Sequence, residues 1–172
     1  HYTSNNTIYG TQYADVPSIG LPLLCDMSSD FISRPVDVSP FDLIYAGAQK
    51  NAGPSGVTVL IIRKTISRTF TGAESVPKIL RYVTQAEKGS MYNTPNTFGI
   101  WLIKLVAEWV RDGGGLDAMA ARNKHKAGLL YDTIDNHPLC HCHADTQSRS
   151  LMNVTFRMEN KAQEEAFIEY AT

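Results

Sequence analysis

The chain has 172 residues, of which 43% are apolar and 19% are charged, and its formal net charge is −1. This composition excludes disordered and fibrous proteins, and the near-zero charge provides no general attraction to nucleic acid or to an anionic membrane. No apolar run is long enough to span a bilayer, and the first residues lack a signal-peptide pattern. The odd count of three cysteines does not build a disulfide framework. We therefore expect a cytoplasmic protein with small-molecule partners.

Three short apolar runs predict strands in the first part of the chain, at residues 21–25, 43–46 and 57–62. Each run is almost continuously apolar, which is typical of strands buried on both faces of a sheet. Such strands occur in α/β proteins whose helices cover the sheet. The first residue, His1, is not Met, and the last residues read as the inside of a helix. We expect the chain to be a piece of a longer protein, cut at both ends.

Two amphipathic helices are predicted in the second part, at residues 97–111 and 116–134. The first has helical spacing of large apolar residues and should face the core, and Gly113 to Gly115 should end it. The second should expose a polar face that includes Asn123. An alternating strand at residues 152–158 follows, and then another helix begins. We predict a border near the glycines, with residues 1–114 in a large domain and 115–172 opening a small α+β domain.

Lys50 is a candidate nucleophile because it follows a buried strand in a segment of very small residues, AGAQKNAGPSG. Small residues allow a ligand to approach the backbone closely. Burial at that position favours the neutral amine, which attacks aldehydes and ketones. The alternative is a solvated lysine in a glycine-rich turn. A phosphate-binding GxxxxGK[ST] loop is absent from the chain.

Asp26 is the second candidate, since it ends the first predicted strand and places a carboxylate at the sheet edge where α/β proteins bind ligands. An aspartate and a lysine on two strand ends could form a simple ion pair. They are also the pair that pyridoxal phosphate chemistry requires. The lysine holds the cofactor aldehyde, and the aspartate keeps the pyridine nitrogen protonated.

Four segments carry a resemblance to a known family: TSNNTIYGTQ, DMSSDFISRP, IYAGAQKNAGPSGVT and EKGSMYNTP. They resemble the successive motifs of phosphoserine aminotransferases, which belong to the fold-type I group of pyridoxal-phosphate enzymes. The resemblance extends over most of the chain, and AGAQKN together with YNTP is specific to that family. It implies an α/β fold, namely part of the large cofactor-binding domain with a mostly parallel sheet, followed by the start of the small domain.

The resemblance also implies a role for particular residues. Lys50 would form the Schiff base with pyridoxal 5'-phosphate and then move the proton between substrate and cofactor. Asp26 would pair with the pyridinium nitrogen, and Thr7 would bind near the phenolic oxygen of the ring. The remaining cofactor ligands would hold the phosphate, two of them from the partner subunit of a homodimer. These are Gln49 and Ser28, and, across the interface, Asn93 and Thr94.

The implied reaction is reversible amino transfer between L-glutamate and 3-phosphohydroxypyruvate, which gives 2-oxoglutarate and O-phospho-L-serine in serine biosynthesis. In bacteria the family often also serves pyridoxine biosynthesis. The family's first-half phosphate segment, its ring-stacking aromatic residue and its C-terminal His-Arg pair are absent from the chain, so we expect the chain alone to be inactive. The nearest alternative is another fold-type I aminotransferase or a desulfurase, neither of which is expected to need YNTP.

The segment HPLCHCH at residues 137–143 offers a rival from a different class, a non-catalytic metal-binding module. Thiolate and imidazole groups are zinc ligands. Adjacent residues of a strand point to opposite faces, however, so at most two or three of these groups could share one metal. We favour an incidental surface edge. Thr94 has its own alternative, a simple helix N-cap before Pro95.

Overall fold

The computed structural model describes residues 1–65 and 75–171 as a mixed α/β fold. Its strands are Tyr2–Thr3 (β1), Asn5–Asn6 (β2), Thr11–Gln12 (β3), Leu24–Asp26 (β4), Leu43–Gly47 (β5), Thr58–Ile62 (β6), Cys140–Cys142 (β7) and Phe156–Met158 (β8). Its α-helices are Tyr82–Glu87 (α1), Thr97–Asp112 (α2), Gly115–Asp135 (α3) and Lys161–Ala171 (α4). No helix in the described ranges combines the length and the apolar character needed to cross a membrane.

The main sheet has the strand order β1-β4-β5-β6. The first three strands are parallel, and their register places Thr3 beside Asp26 and Asp26 beside Tyr45. β6 returns antiparallel to β5, with Gly47 opposite Thr58. Parallel strands end on the same edge of a sheet. The segments that follow Asp26 and Gly47 therefore start side by side.

The core lies against this sheet. Its buried members come from β4, β5 and the loops beside them, and three half-buried side chains pack around them. The buried residues are Leu23, Cys25, Met27, Phe41 and Ile44, and the surrounding ones are Tyr2, Phe31 and Val36. This cluster confirms that the first two apolar runs supply core strands, because water is excluded from their side chains.

The prediction that all three runs are buried on both faces is wrong for the third. Ile44 in β5 is 1% exposed, whereas Leu60 and Ile61 in β6 are 43% and 39% exposed. β6 is the last strand of the described sheet, so it has one strand neighbour where β5 has two. Leu21, at the start of the first run, precedes β4 and is 70% exposed.

Helix α2 begins and ends close to its predicted bounds, but its predicted burial is wrong. Asn96 Oδ1 accepts a hydrogen bond from Gly99 N at 3.0 Å and caps the helix start. The large apolar side chains of the stripe are exposed, Phe98 by 66% and Trp101 by 50%. A different side of the helix packs closely against the rest of the chain. Ile103 Cγ1 lies so near Gly53 that a Cβ added to the glycine would be only 2.7 Å away.

Helix α3 is present as predicted, but the face predicted to be polar and solvated is partly buried. Asn123, which the sequence places among solvated residues, is 4% exposed. Its Nδ2 donates to Ser33 O at 3.1 Å, so the amide side chain anchors α3 to the loop after β4. A buried polar group that finds a partner avoids most of its desolvation cost, and sequence periodicity cannot show that partner.

The predicted strand at residues 152–158 is only partly correct, because regular pairing is confined to β8, which is antiparallel to β7. Ser150 Oγ accepts hydrogen bonds from the backbone N of Met152 at 3.0 Å and of Asn153 at 2.9 Å. These bonds turn the chain before β8 and compete with extended pairing. The helix expected after this strand is present as α4.

Candidate active site

Asp26 lies at the end of β4, where its carboxylate is held by the chain that follows it. Its Oδ1 accepts a hydrogen bond from Ser28 N at 2.8 Å. Tyr45 is its register partner on β5, and burial first, then the neighbouring Asp26 charge, raises the pKa of the Tyr45 hydroxyl. Tyr45 Oη also lies 2.9 Å from His1 Nε2. The half-buried Asp26 carboxylate therefore stands beside a phenol that stays protonated at neutral pH.

Lys50 lies one strand away, at the end of the 3-10 helix Ala48–Lys50 that follows β5. The backbone of this turn is fixed, since Ala48 N donates to Val57 O at 3.0 Å and Ala48 O accepts from Ala52 N at 3.0 Å and Gly53 N at 2.9 Å. The Lys50 and Gln49 side chains are exposed. The burial that the sequence predicts for the Lys50 amine is therefore not provided by the described residues.

Ser28 links these two strand ends. Its side chain is buried, and its Oγ accepts a hydrogen bond from Gly47 N at 3.0 Å. A hydroxyl that accepts one hydrogen bond keeps its own hydrogen for donation. A Cβ at Gly47 would lie 2.8 Å from Gln49 Oε1, so a glycine leaves room for the glutamine side chain. The predicted residues Asp26, Ser28 and Gln49 thus lie at the same edge of the main sheet as Lys50.

Thr7 lies in the turn between the short antiparallel strands β2 and β3 and is exposed. Asn6 Oδ1 shapes this turn by accepting from Ile8 N at 3.0 Å and Tyr9 N at 3.1 Å. The hairpin is attached to the Asp26 strand, since Ser4 N donates to Asp26 O at 3.0 Å. The structure therefore ties the Thr7 turn to the strand that ends at Asp26.

Asn93 and Thr94 are not brought to this edge within the described chain. They line a surface cavity of about 450 Å³ together with residues of the return after Lys50 and of α2, among them Gly56, Thr58 and Ile100. None of the other predicted site residues lines it. The alternative that Thr94 is the helix N-cap is wrong, because Asn96 caps α2.

The cysteine and histidine segment does not form a ligand set within the described residues, where no group of three potential metal ligands converges. Cys140 Sγ lies 3.6 Å from Met158 Sδ, and Cys142 Sγ lies 4.0 Å from Asp135 Oδ1. His141 is exposed between the two half-buried cysteines. Burial raises the pKa of the Cys142 thiol, which disfavours the thiolate that binds a metal.

Sequence reasoning missed a set of buried polar residues beside the site. Asp30 is 4% exposed and accepts hydrogen bonds from Ser4 Oγ and, at 3.1 Å, from Gln12 Nε2, while Arg34 Nη2 lies 3.7 Å away. Asn5 and Ser150 are 1% and 0% exposed. The available signal was a concentration of Ser, Asn and Asp beside predicted strands, a composition also typical of ordinary turns.

The side chains at this edge fit pyridoxal phosphate in their chemistry. An aspartate is suited to a protonated ring nitrogen, and a lysine amine in the turn after the neighbouring strand is suited to an aldehyde. Ser28 retains a hydroxyl hydrogen, and Gln49 carries an amide group that lies over Gly47. Both groups are neutral donors of the kind that bind a phosphate.

Comparison with known proteins gives a consistent result. The family model described as aminotransferase class-V matches residues 1–170. The phosphoserine aminotransferase of Lysinibacillus sphaericus is 52% identical over 170 residues, which cover 98% of this chain and 46% of that protein. The chain spans about half the length of the curated relatives it matches.

Solved structures agree in sequence and in fold. A phosphoserine aminotransferase from Bacillus circulans subsp. alkalophilus has a TM-score of 0.93 and 43% identity, over 99% of this chain and 47% of that one. A PLP-bound phosphoserine aminotransferase from Trichomonas vaginalis has a TM-score of 0.89 and 36% identity, over 99% of this chain and 49% of that one.

Proposed function

The chain belongs to the aminotransferase class-V family, and from that membership we propose that it forms part of a pyridoxal-phosphate-dependent phosphoserine aminotransferase. The reaction is amino transfer between L-glutamate and 3-phosphohydroxypyruvate, with 2-oxoglutarate and O-phospho-L-serine as products, in cytoplasmic serine biosynthesis. The observation that carries this proposal is the placement of Asp26 at the end of β4 and of Lys50 in the 3-10 helix that directly follows the neighbouring parallel strand β5. A relative that is 52% identical over 98% of this chain bears that enzyme name.

Asp26 is the residue that pairs with the pyridine nitrogen of the cofactor. Its Oδ1 is already oriented by Ser28 N at 2.8 Å. A carboxylate held in place keeps a proton on the ring nitrogen without having to reorganise during the reaction. When bound, pyridoxal phosphate supplies the electron sink for the bond changes at the substrate Cα and carries the amino group between half-reactions.

Lys50 would bind the cofactor aldehyde and, with its amine free, would move the proton between the substrate Cα and the cofactor C4′. Its fixed turn suits this work, because the backbone is held by Ala48 N to Val57 O while the exposed side chain can swing. A base that is positioned beside both carbon atoms lowers the barrier to proton transfer.

The other predicted ligands have supporting roles. Ser28 and Gln49 donate to the cofactor phosphate, and Thr7 binds near the phenolic oxygen. Asn93 and Thr94 serve the phosphate of a partner subunit in a homodimer. What supports the last assignment is their place in a separate cavity, away from the other residues of their own site. We further propose that the small α+β domain starts after α2, near Gly113 to Gly115.

Borohydride reduction after addition of pyridoxal phosphate tests the cofactor assignment, and it should be done on the full-length protein. Peptide mass mapping is expected to find the reduced adduct on Lys50, to lose it in Lys50→Arg, and to retain it in Lys88→Arg, a matched exposed control. An adduct that persists in Lys50→Arg, or no adduct at all, would overturn the proposal.

The reaction itself is tested by substrate choice. The full-length protein is expected to transfer the amino group of L-glutamate to 3-phosphohydroxypyruvate and to release no sulfide from cysteine. Asn93→Ala with Thr94→Ala should weaken cofactor affinity, whereas Thr97→Ala, an exposed neighbour on α2, should not. Sulfide release, or unchanged affinity in the double variant, would favour a desulfurase or another aminotransferase.

A further inference from the structure

We propose that Asn5 and Ser150 are positioning residues for the cofactor site, because they hold the hairpin whose turn carries Thr7. This inference rests on the proposed function and adds two residues that do not touch the cofactor. Asn5 lies in β2, two residues before Thr7, and Ser150 is 145 positions away in the chain. Their contact joins the cofactor edge to a segment that the sequence assigns to the small domain.

Asn5 uses its whole side chain in this contact. Its Nδ2 donates to Ser29 Oγ at 2.9 Å and to Asn153 Oδ1 at 2.8 Å, and its Oδ1 accepts from Ser150 Oγ. Ser29 Oγ also donates to Asn5 O at 2.7 Å. The amide therefore bridges the turn after Asp26 on one side and the segment 150–153 on the other. Because Asn5 is only 1% exposed, water cannot replace these partners.

Ser150 is also held by hydrogen bonds of both its backbone and its side chain. Its N donates to Gly10 O at 2.8 Å, and its O accepts from Tyr131 Oη at 2.8 Å. Its Oγ accepts from the backbone N of Met152 and Asn153 while donating to Asn5. The residue thus fastens the hairpin, helix α3 and the turn before β8 at a single point.

Residues 151–155 make further contacts with the hairpin. Thr155 Oγ1 donates to Tyr9 O at 3.0 Å, and Leu151 N donates to Gln12 Oε1 at 3.2 Å. Gly10 has φ +64°, and a Cβ there would lie 2.5 Å from Thr155 Oγ1. A side chain at position 10 would therefore push the two segments apart.

The hairpin needs this support because each of its strands has two residues. Hairpins of that size are not stable in water on their own. Thr7 is exposed at the turn, so the position of its hydroxyl depends on the backbone beneath it. A shift of a few tenths of an ångström to one ångström there is enough to weaken a ligand contact. Asn5 and Ser150 therefore act on the cofactor through Thr7.

A double-mutant cycle on the full-length protein tests the inference. Ser150→Ala is expected to weaken pyridoxal phosphate affinity roughly tenfold, because it removes a hydrogen-bond partner from a buried amide. In a Thr7→Val background the same change should have little further effect, since the hydroxyl it positions is gone. Affinity is measured by absorbance titration, and kcat and KM for glutamate are measured at saturating cofactor. Ser148→Ala, exposed in the neighbouring 3-10 helix, is the control and should match the unsubstituted protein.

The outcomes separate this inference from the proposed function. If borohydride attaches the cofactor to Lys50 but Ser150→Ala binds it as tightly as before, or if the effects of Ser150→Ala and Thr7→Val simply add, the positioning role is wrong. If Lys50 forms no adduct, the proposed function fails first. Should Ser150→Ala not fold, Thr155→Val removes only the bond to Tyr9 O and is expected to weaken affinity by a smaller factor, again only when Thr7 is present. Unchanged affinity in Thr155→Val would then contradict the inference.

Discussion

The edge around Asp26 and the apolar side of helix α2 are built in opposite ways. At the edge, polar side chains such as Asn5 and Asp30 are buried and fully partnered. On α2, the residues with the strongest apolar pattern are exposed, including Trp101 by 50% and Trp109 by 55%. Helical periodicity identifies the apolar side of a helix, but it does not show whether another part of the chain covers that side. Polar residues, in turn, are no guide to the surface when a distant segment satisfies them.

The largest effect is expected in the buried core beside the main sheet. Ile44→Ala should lower the free energy of unfolding by about 3 kcal/mol, because it leaves a cavity at a position that is 1% exposed. Ile44→Val, which removes one methylene group, should cost about 1 kcal/mol. Urea denaturation followed by circular dichroism measures both. Equal losses in the two variants would mean that the site collapses around the smaller side chain.

A smaller effect is expected at Asn123, where a polar residue is buried on a helix. Asn123→Ala removes the donor to Ser33 O and should cost about 1–2 kcal/mol. Lys124→Ala, at the exposed neighbouring position, should change stability by less than about 0.5 kcal/mol. The same denaturation experiment compares them. If both variants lower the free energy of unfolding by the same small amount, the hydrogen bond from Asn123 to Ser33 does not stabilise the fold.

The ion pair at the end of α3 gives a prediction about pH. Hydrogen bonds from Arg149 at 2.6 and 2.7 Å hold the pKa of Asp135 below its usual value. A lowered folded-state pKa contributes stability above the ordinary aspartate pKa of about 4, and that contribution is lost as the pH falls through the folded value. The stability difference between the unsubstituted chain and Asp135→Asn should therefore be constant near neutrality and shrink in acid. A difference that grows in acid would contradict the assignment.

The smallest effect is expected on the exposed side of α2. Trp101→Gln should change the free energy of unfolding of this chain by less than about 0.5 kcal/mol, because the side chain is half exposed already. It should also reduce binding of the dye ANS, which detects exposed apolar surface. Lys104→Gln on the same helix is the control for both readouts. A large loss of stability would show that Trp101 packs more tightly than its exposure indicates.

Much of the fold could be predicted because it depends on local pattern. Continuous apolar runs located β4 and β5, and three glycines located the break between α2 and α3. Strand ends then placed Asp26 and Lys50 on one edge. The direction of β6 and the contact between Asn5 and Ser150 could not be predicted in this way. Both depend on pairing between segments, and neither periodicity nor composition encodes the partner.

The antiparallel return of β6 also bears on the order in which the site is assembled. β5 and β6 pair across a connection of ten residues, Ala48 to Val57, whereas β4 and β5 pair across a longer crossover. Pairing between segments close in the chain has a lower loop-closure entropy and forms faster. We therefore expect the Lys50 turn to form before Asp26 arrives beside it. Pulse-labelled hydrogen exchange during refolding should show early protection of the Ala48 and Gly53 amides and later protection of Met27, whose amide donates to Tyr45 O.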